Sequence, residues 1–460
     1  MTDRRKSSMK AAITSVVAEA PAPVETITKP RESRAEQSAR TTSRNYADPY
    51  RPFPLGAVNA VGRILGSAGI RRRITSDGVI KAAAKAAGLP SGFRGYSEDY
   101  REGLDILIDS IESEADLNTM GRMITRGRLI GVLKARFCAE QEWRKRPEIL
   151  GARLSPPLII TGLQRTGTTL LHRLIASDPR FRSLSSWEVL DPSPPPVSDR
   201  RKDPRIKAAQ RAEKGAAWMS PDFFAVHPID HRAPEEDVLL LDTTFKSTVA
   251  EAILHVPRYA AWLESADSTP AYLFMRRLLL LFQSRDVRDA WILKTPHHLE
   301  FLDVLFDVFP EAKVVQTHRD PSKTMGSFLS MVAHGYGMFS DSPNPLTIGN
   351  HWSRKCRRMV DKGMEYRKSL MPEEESRTFL DIQFADLIAD PLSVLARIYE
   401  FADVDFDDRT FRRAQLFLDT HGRHRYGRHV YDLADFNRSA EGIRSDFADY
   451  ISEYAIPEEE

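Results

Sequence analysis

The chain has 460 residues, 42% of them hydrophobic and 28% charged, which excludes a wholly disordered polymer. Its 66 basic and 64 acidic side chains leave a net charge of +2, so no global basic excess recruits nucleic acid and any anion site is built locally. The two cysteines, Cys138 and Cys356, exclude a disulfide framework and a cysteine-based zinc site, and no run approaches the roughly 18–20 apolar residues of a spanning helix.

Residues 1–50 are rich in Ser, Thr, Pro, Ala and Arg, show no sustained period, and carry more basic than acidic residues. Arg4-Arg5-Lys6 followed by Ala11–Val17 has the outline of a signal peptide, but the apolar part is short, contains Thr14 and Ser15, and lacks Leu. The segment is expected to be a disordered tail, with at most a weak contact to a membrane surface, on a cytoplasmic protein.

Residues 51–152 read as a helical cap. Leu55, Val58, Val61, Leu65 and Ile70 form an amphipathic stripe that ends at Arg71-Arg72-Arg73. Packing into core or lid is the expected use of that stripe, with docking on a membrane as the alternative. Ile74–Ala87 stops at Gly88-Leu89-Pro90. Tyr100, Leu104, Leu107, Ile108 and Ile111 make a further helical face, and Leu117, Met120, Met123, Leu129 and Val132 another.

From residue 153 to 460 the pattern is α/β. Leu158–Thr161 reads as a buried strand, Gly162–Gly167 as a turn, and Thr168–Ser177 as a helix. Strands are expected again at Trp291–Lys294, Lys313–Thr317 and Thr378–Ile382. Helices are expected at His298–Phe309, Ser322–His334 and Leu392–Ala402. Buried strands alternating with helices predict a P-loop-like parallel sheet with helices on both faces. Residues 192–235, with Pro192 and Pro194–Pro196, look like an excursion near the site.

Gly162-Leu163-Gln164-Arg165-Thr166-Gly167-Thr168-Thr169 fits the phosphate-loop frame, except that Thr168 stands at the lysine position. The N–H groups of Gly167, Thr168 and Thr169 would face an anion, and the helix dipole adds about half a positive charge there. Arg165 supplies a cation, and the threonines supply hydroxyls. An ATP-using loop needs the missing lysine and an acidic magnesium ligand. Here the strand Lys313–Thr317 runs instead into His318-Arg319, so no metal is expected. Arg319 leaves the C-terminal edge of that strand, where open α/β sheets bind ligands, and Ser327 follows eight residues later.

Gly162–Thr169 resembles the 5′-phosphosulfate loop of PAPS-dependent sulfotransferases, and Arg319 through Ser327 resembles their 3′-phosphate motif. Leu293-Lys294-Thr295-Pro296-His297-His298 is similar to the bacterial branch with an N-terminal helical extension. The resemblance spans about residues 155–435. It implies PAPS as co-substrate, PAP as product and a small-molecule, lipid or glycan acceptor with a hydroxyl or amine. It also implies Arg165, Thr166, Gly167, Thr168, Thr169, Arg319 and Ser327 as the nucleotide site. Arg423–Arg428 is only similar to the family's closing loop, and Arg425 and Tyr426 are its candidate residues; Tyr431, Asp435 and Asn437 lie just beyond. Lys294 is the expected cation at the leaving oxygen. Glu188, His297 and Glu236 are the candidate bases; His297 could instead begin the following helix, and Glu236 could instead complement a helix dipole. Trp218, Phe223, Phe224, Tyr272 and Phe274 are either acceptor-tunnel or core aromatics. Two other classes fit the loop less well: a nucleotide kinase or NTPase, and a non-catalytic PAP-binding protein.

Overall fold

The computed structural model describes residues 42–68, 73–90, 92–194, 202–420 and 429–459. The first four helices are α1 (Phe53–Ser67), α2 (Ser76–Ala86), α3 (Arg101–Glu114) and α4 (Thr119–Lys145). Their starts follow local chemistry. The Thr75 side chain accepts from the Gly78 N–H at the head of α2, and Asn118 does the same for Gly121 at the head of α4. Gly88, at φ +72°, ends α2 where the stop signal was expected. Ile80, Leu104, Leu107, Leu129, Leu133 and Phe137 close a common core that also takes Phe245, Tyr259 and Phe339 from later in the chain.

The stripe of α1 does not pack as expected. Of the stripe, Leu55 is buried while Val58, Val61 and Leu65 face outward, joined by Phe53 and Ile64; Asn59 is buried, and Ile70 lies outside the described residues. Periodicity fixes that a helix has two faces but not which of them meets the core.

Five parallel strands follow: β1 (Pro157–Gly162), β2 (Phe181–Arg182), β3 (Ala290–Lys294), β4 (Lys313–His318) and β5 (Phe379–Gln383). Their order is β2-β3-β1-β4-β5, which places β1 at the centre. β1 is buried along its whole length and apolar on both faces. Ile159 points into a layer with Leu293, Val314 and the helix α6 (Thr269–Gln283). Leu158 and Ile160 point into the other layer, with Leu171, Ile292, Val315, Ile382 and Leu395. α5 (Thr168–Ala176), which follows β1 in the chain, supplies Leu171 to that second layer.

Three departures have physical reasons. β2 is two residues long, too short for a period-2 signal. The helix expected over His298–Phe309 is split into a 3-10 turn, Pro296–Glu300, and a short helix, Leu302–Val308. The turn is pinned by Thr295, which accepts from the His297 N–H, and by the buried His298 ring. The helix expected from Ser322 begins one residue earlier and extends further, as α7 (Pro321–Phe339). Asp320 caps it by accepting from the Ser322 N–H, and Pro321 occupies its first turn. Tyr272 and Phe274, offered as tunnel or core, are both fully packed in the core beneath the sheet.

Candidate active site

β1 delivers the chain into a loop whose shape is set by backbone conformation. Gly162 has φ +141°, and a Cβ there would lie 2.5 Å from the Thr317 carbonyl oxygen on β4. Gly167 has φ +89° at the head of α5, and a Cβ there would meet Leu387 at 2.8 Å. Arg165 also sits in the left-handed region, at φ 71°, a conformation rarely held by a long side chain without a reason. Thr166 is not aimed at a ligand: its Oγ1 donates to the Leu163 carbonyl at 2.6 Å and meets the Thr317 Oγ1 at 2.6 Å, fixing the loop from inside. Thr168 is buried and Thr169 exposed at the start of α5, where the first-turn N–H groups have no intrahelical acceptor.

The second motif closes on the first. Arg319, one residue beyond β4, donates from Nη1 to the Arg165 carbonyl at 3.0 Å, and its guanidinium lies 3.9 Å from the Phe384 ring centroid. Its Nε and Nη2 grip the Glu459 carboxylate at 2.9–3.1 Å. Ser327, on α7, accepts from the Arg165 Nε at 3.0 Å. Among the described residues no carboxylate pairs with Arg165; burial and then the like charge of Arg319 push its pKa below the ordinary arginine value. A desolvated cation beside a second cation, both at a helix N-terminus, is an arrangement that an anion stabilises.

His429 completes this pocket and carries no sequence signal of its own. Its Nδ1 lies 3.3 Å from the Ser327 Oγ and its Nε2 3.0 Å from the Ser330 Oγ. Burial, followed by Arg165, lowers its pKa to about 4. Arg425 and Tyr426 lie outside the described residues, directly before it. Tyr431 packs on Gly326, where a Cβ would meet its ring at 2.7 Å. Asp432 and Asp435 pair with Arg44, and Asn437 takes a left-handed conformation after a short turn, so these three hold the chain rather than face the loop.

Lys294 ends β3 opposite Ile160 of β1, two residues before Gly162. Its buried Nζ donates to the Glu236 Oε1 at 2.6 Å, and the Thr295 hydroxyl donates to the other oxygen at 3.2 Å. His227 joins this group from the Pro-rich excursion, one residue past the helix Pro221–Val226. Burial lowers its pKa, and Glu235, Glu236, Lys294 and Arg165 all lie close enough to act on it. The ring is therefore neutral at neutral pH and able to accept a proton; the charges of Glu235 and Glu236 favour its charged form, while those of Lys294 and Arg165 oppose it.

The other candidate bases sit differently. Glu188 is bound to Arg182 at 2.7 and 3.2 Å and accepts from the Ser185 N–H at 3.0 Å, as the acid of a capping box. His297 is buried with neither ring nitrogen partnered among the described residues, and its ring packs 4.7 Å from Phe301. Burial, then His298, then Lys355 lower its pKa. Its neighbour His298 is locked between Asp237 and the Tyr272 hydroxyl, each at 2.8 Å.

A model of the sulfotransferase family matches residues 156–408. The omega-hydroxy-beta-dihydromenaquinone-9 sulfotransferase Stf3 of Mycobacterium tuberculosis is 26% identical over 276 residues, covering 57% of this chain and 67% of that protein. Among solved structures, sulfotransferase STF1 from Mycobacterium tuberculosis is 32% identical and superposes with a TM-score of 0.72 over 82% of this chain and 99% of its own. Sulfotransferase STF9 from Mycobacterium avium is 28% identical, with a TM-score of 0.74 over 83% and 97%.

Proposed function

The chain belongs to the PAPS-dependent sulfotransferase family, and from that premise we propose that it sulfates a hydroxyl on an apolar lipid acceptor, using the residues assembled at the edge of β1, β3 and β4. When bound, PAPS supplies the electrophilic sulfuryl group. The Gly162–Thr169 loop and Arg165 hold the 5′ end through backbone N–H groups and one guanidinium. Arg319 and Ser327 hold the 3′-phosphate; Arg425 and Tyr426, named by the resemblance for the same nucleotide, lie outside the described residues. Lys294 places its positive charge at the leaving phosphate oxygen, where negative charge grows as the bond to sulfur breaks. His227 takes the acceptor's hydroxyl proton as the new sulfur–oxygen bond forms, with Glu236 orienting Lys294 and stabilising the imidazolium. Glu188 and His297 are left out of this scheme because one is committed to Arg182 and the other is enclosed in the core.

The lipid class rests on the relative named for a menaquinone substrate, which is the support for choosing lipid over glycan. A cytoplasmic setting is supported by the two free thiols, Cys138 and Cys356. No helix among the described residues is long and apolar enough to cross a membrane.

The observation that carries the assignment is the pair Arg165 and Arg319, joined through the Arg165 carbonyl, with Arg165 lacking a carboxylate partner among the described residues. PAP is expected to raise the melting temperature of the protein in the presence of EDTA. Arg165→Ala is expected to weaken PAP by about ten- to a hundredfold, the range for a lost hydrogen bond to a charged group. Absence of a PAP-induced shift in the wild type, or unchanged affinity in a folded Arg165→Ala protein, would overturn the assignment.

A further inference from the structure

The helix α1 is amphipathic with its polarity reversed. Its inner side is clamped by polar groups and small residues. Asn59 accepts from the Met120 N–H at 3.1 Å. Asp341, just beyond α7, collects Arg51, Arg63 and Asn118 at 2.8–3.3 Å. Gly62 lies so close to α4 that a Cβ would come within 1.6 Å of the Thr119 hydroxyl oxygen. This face cannot rotate outward without breaking those contacts. The outer side carries Phe53, Val58, Val61, Ile64 and Leu65, exposed by 87, 40, 57, 68 and 44%. Met123, one turn along α4 from Thr119, is exposed by a further 62%. Scattered exposed apolar residues need no explanation, but six on adjoining helix turns do.

The charge around this face selects its partner. Between Asp48 and Asp77 the chain carries five arginines (Arg51, Arg63, Arg71, Arg72 and Arg73) and no acidic residue. Arg51 is held on Asp341 at 18% side-chain exposure; Arg63, on the same carboxylate, and Arg73, 3.7 Å from Glu112, nevertheless keep 66 and 73% of their side chains exposed. A second copy of the chain packing this face against itself in a two-fold contact would bring like charges together. An anionic bilayer offers apolar depth for the stripe and negative headgroups for the exposed side chains of Arg63 and Arg73. At 15 residues α1 is about 22 Å long, suited to lying in the interface plane.

We propose that α1 is an interfacial helix that docks this protein on an anionic lipid surface, with Phe53, Val58, Val61, Ile64, Leu65 and Met123 entering the headgroup–acyl boundary. Ser327, in the nucleotide site, and Ser340, beside the clamp, are separated by about 20 Å along the α7 axis, so docking leaves the nucleotide loop open to solvent. The inference does not require the acceptor to be a lipid.

The test is flotation of the full-length protein with phosphatidylcholine–phosphatidylglycerol vesicles (about 7:3) and with pure phosphatidylcholine vesicles. The wild type is expected to float with the anionic vesicles and to bind the neutral ones at least about tenfold more weakly, with binding reduced by salt. V61D/I64D, at two exposed positions outside the nucleotide site, is expected to lose flotation while keeping its PAP-induced thermal shift. Four results would overturn the proposal. These are a wild type that does not float, a double variant that floats like the wild type, vesicle binding that appears only after residues 1–41 are deleted, and a wild-type dimer in light scattering that the double variant dissociates.

Discussion

Arg319 is not free to meet a nucleotide as it stands. The fork formed by its Nε and Nη2 is the geometry that grips a phosphate in two places, and Glu459 fills it at 2.9–3.1 Å. Binding of a 3′-phosphate at that fork must displace the carboxylate, so the pair opposes nucleotide affinity by whatever the pair is worth. Both side chains are about a quarter exposed, 23 and 29%, which places the interaction near the upper end for partly solvated pairs, about 1 kcal/mol. Glu459→Gln removes the charge and keeps the size. The backbone N–H of Glu459 donates to Asp320 at 3.1 Å, and that anchor is untouched by the change. PAP affinity is therefore expected to rise about fivefold, since about 1.4 kcal/mol corresponds to a factor of ten. Titration calorimetry with PAP, and with adenosine 5′-phosphate as the ligand lacking the 3′-phosphate, reads this directly. The gain belongs to PAP alone and shrinks as salt screens the pair. Unchanged or weaker PAP binding in the variant, or an equal gain for adenosine 5′-phosphate, would refute the reasoning and remove Arg319 from the 3′-phosphate site.

Lys294→Ala is expected to lower kcat by about 10²–10³ while changing PAP affinity far less, because a cation at the leaving oxygen gains most as charge develops. Single-turnover rates beside PAP calorimetry check it, and near-normal chemistry in a folded variant would remove Lys294 from the mechanism. His227→Ala is expected to cost about 10²–10⁴ in kcat and to abolish the acid limb of the pH–rate profile, which in the wild type lies below the ordinary histidine value because burial lowers the His227 pKa. A variant that keeps its acid limb would pass the role to another group. Acid stability follows from the buried histidines His172, His297, His318 and His429, all held neutral by desolvation. On unfolding each returns to about 6.5, so the unfolded chain binds more protons and stability falls as pH drops below that value, for His429 down to about 4. A melting temperature that stays flat between about pH 7 and pH 4.5 would contradict this.

What the sequence discloses depends on how far apart the interacting residues lie. The β1–loop–α5 unit was legible because its signals are contiguous: an apolar run, glycines at a fixed spacing, and a helix start. The same holds for β4, Arg319 and Ser327, where Asp320-Pro321 marks the helix head. Glu188, offered from the sequence as a candidate base, folds instead as the acid of a capping box with Ser185, and its tie to Arg182 lies six residues away. By contrast, Glu459 reaches Arg319 across 140 residues and His429 reaches Ser327 across 102. Neither belongs to a spacing rule, because contact across such distances is decided by packing. His227 arrives from an excursion with no motif, and the groups whose charge acts on it, Arg165 and Lys294, lie far from it along the chain. The α1 stripe shows the complementary limit. Its period is the same whether the apolar side meets protein or something outside it. What settles the matter is one glycine seated against Thr119 and one carboxylate, Asp341, which holds Arg51 and the tip of the otherwise exposed Arg63. Local chemistry thus specified the anion-binding loop, and distant contacts specified what competes for it, what takes the proton beside it, and which helix face remains for a partner.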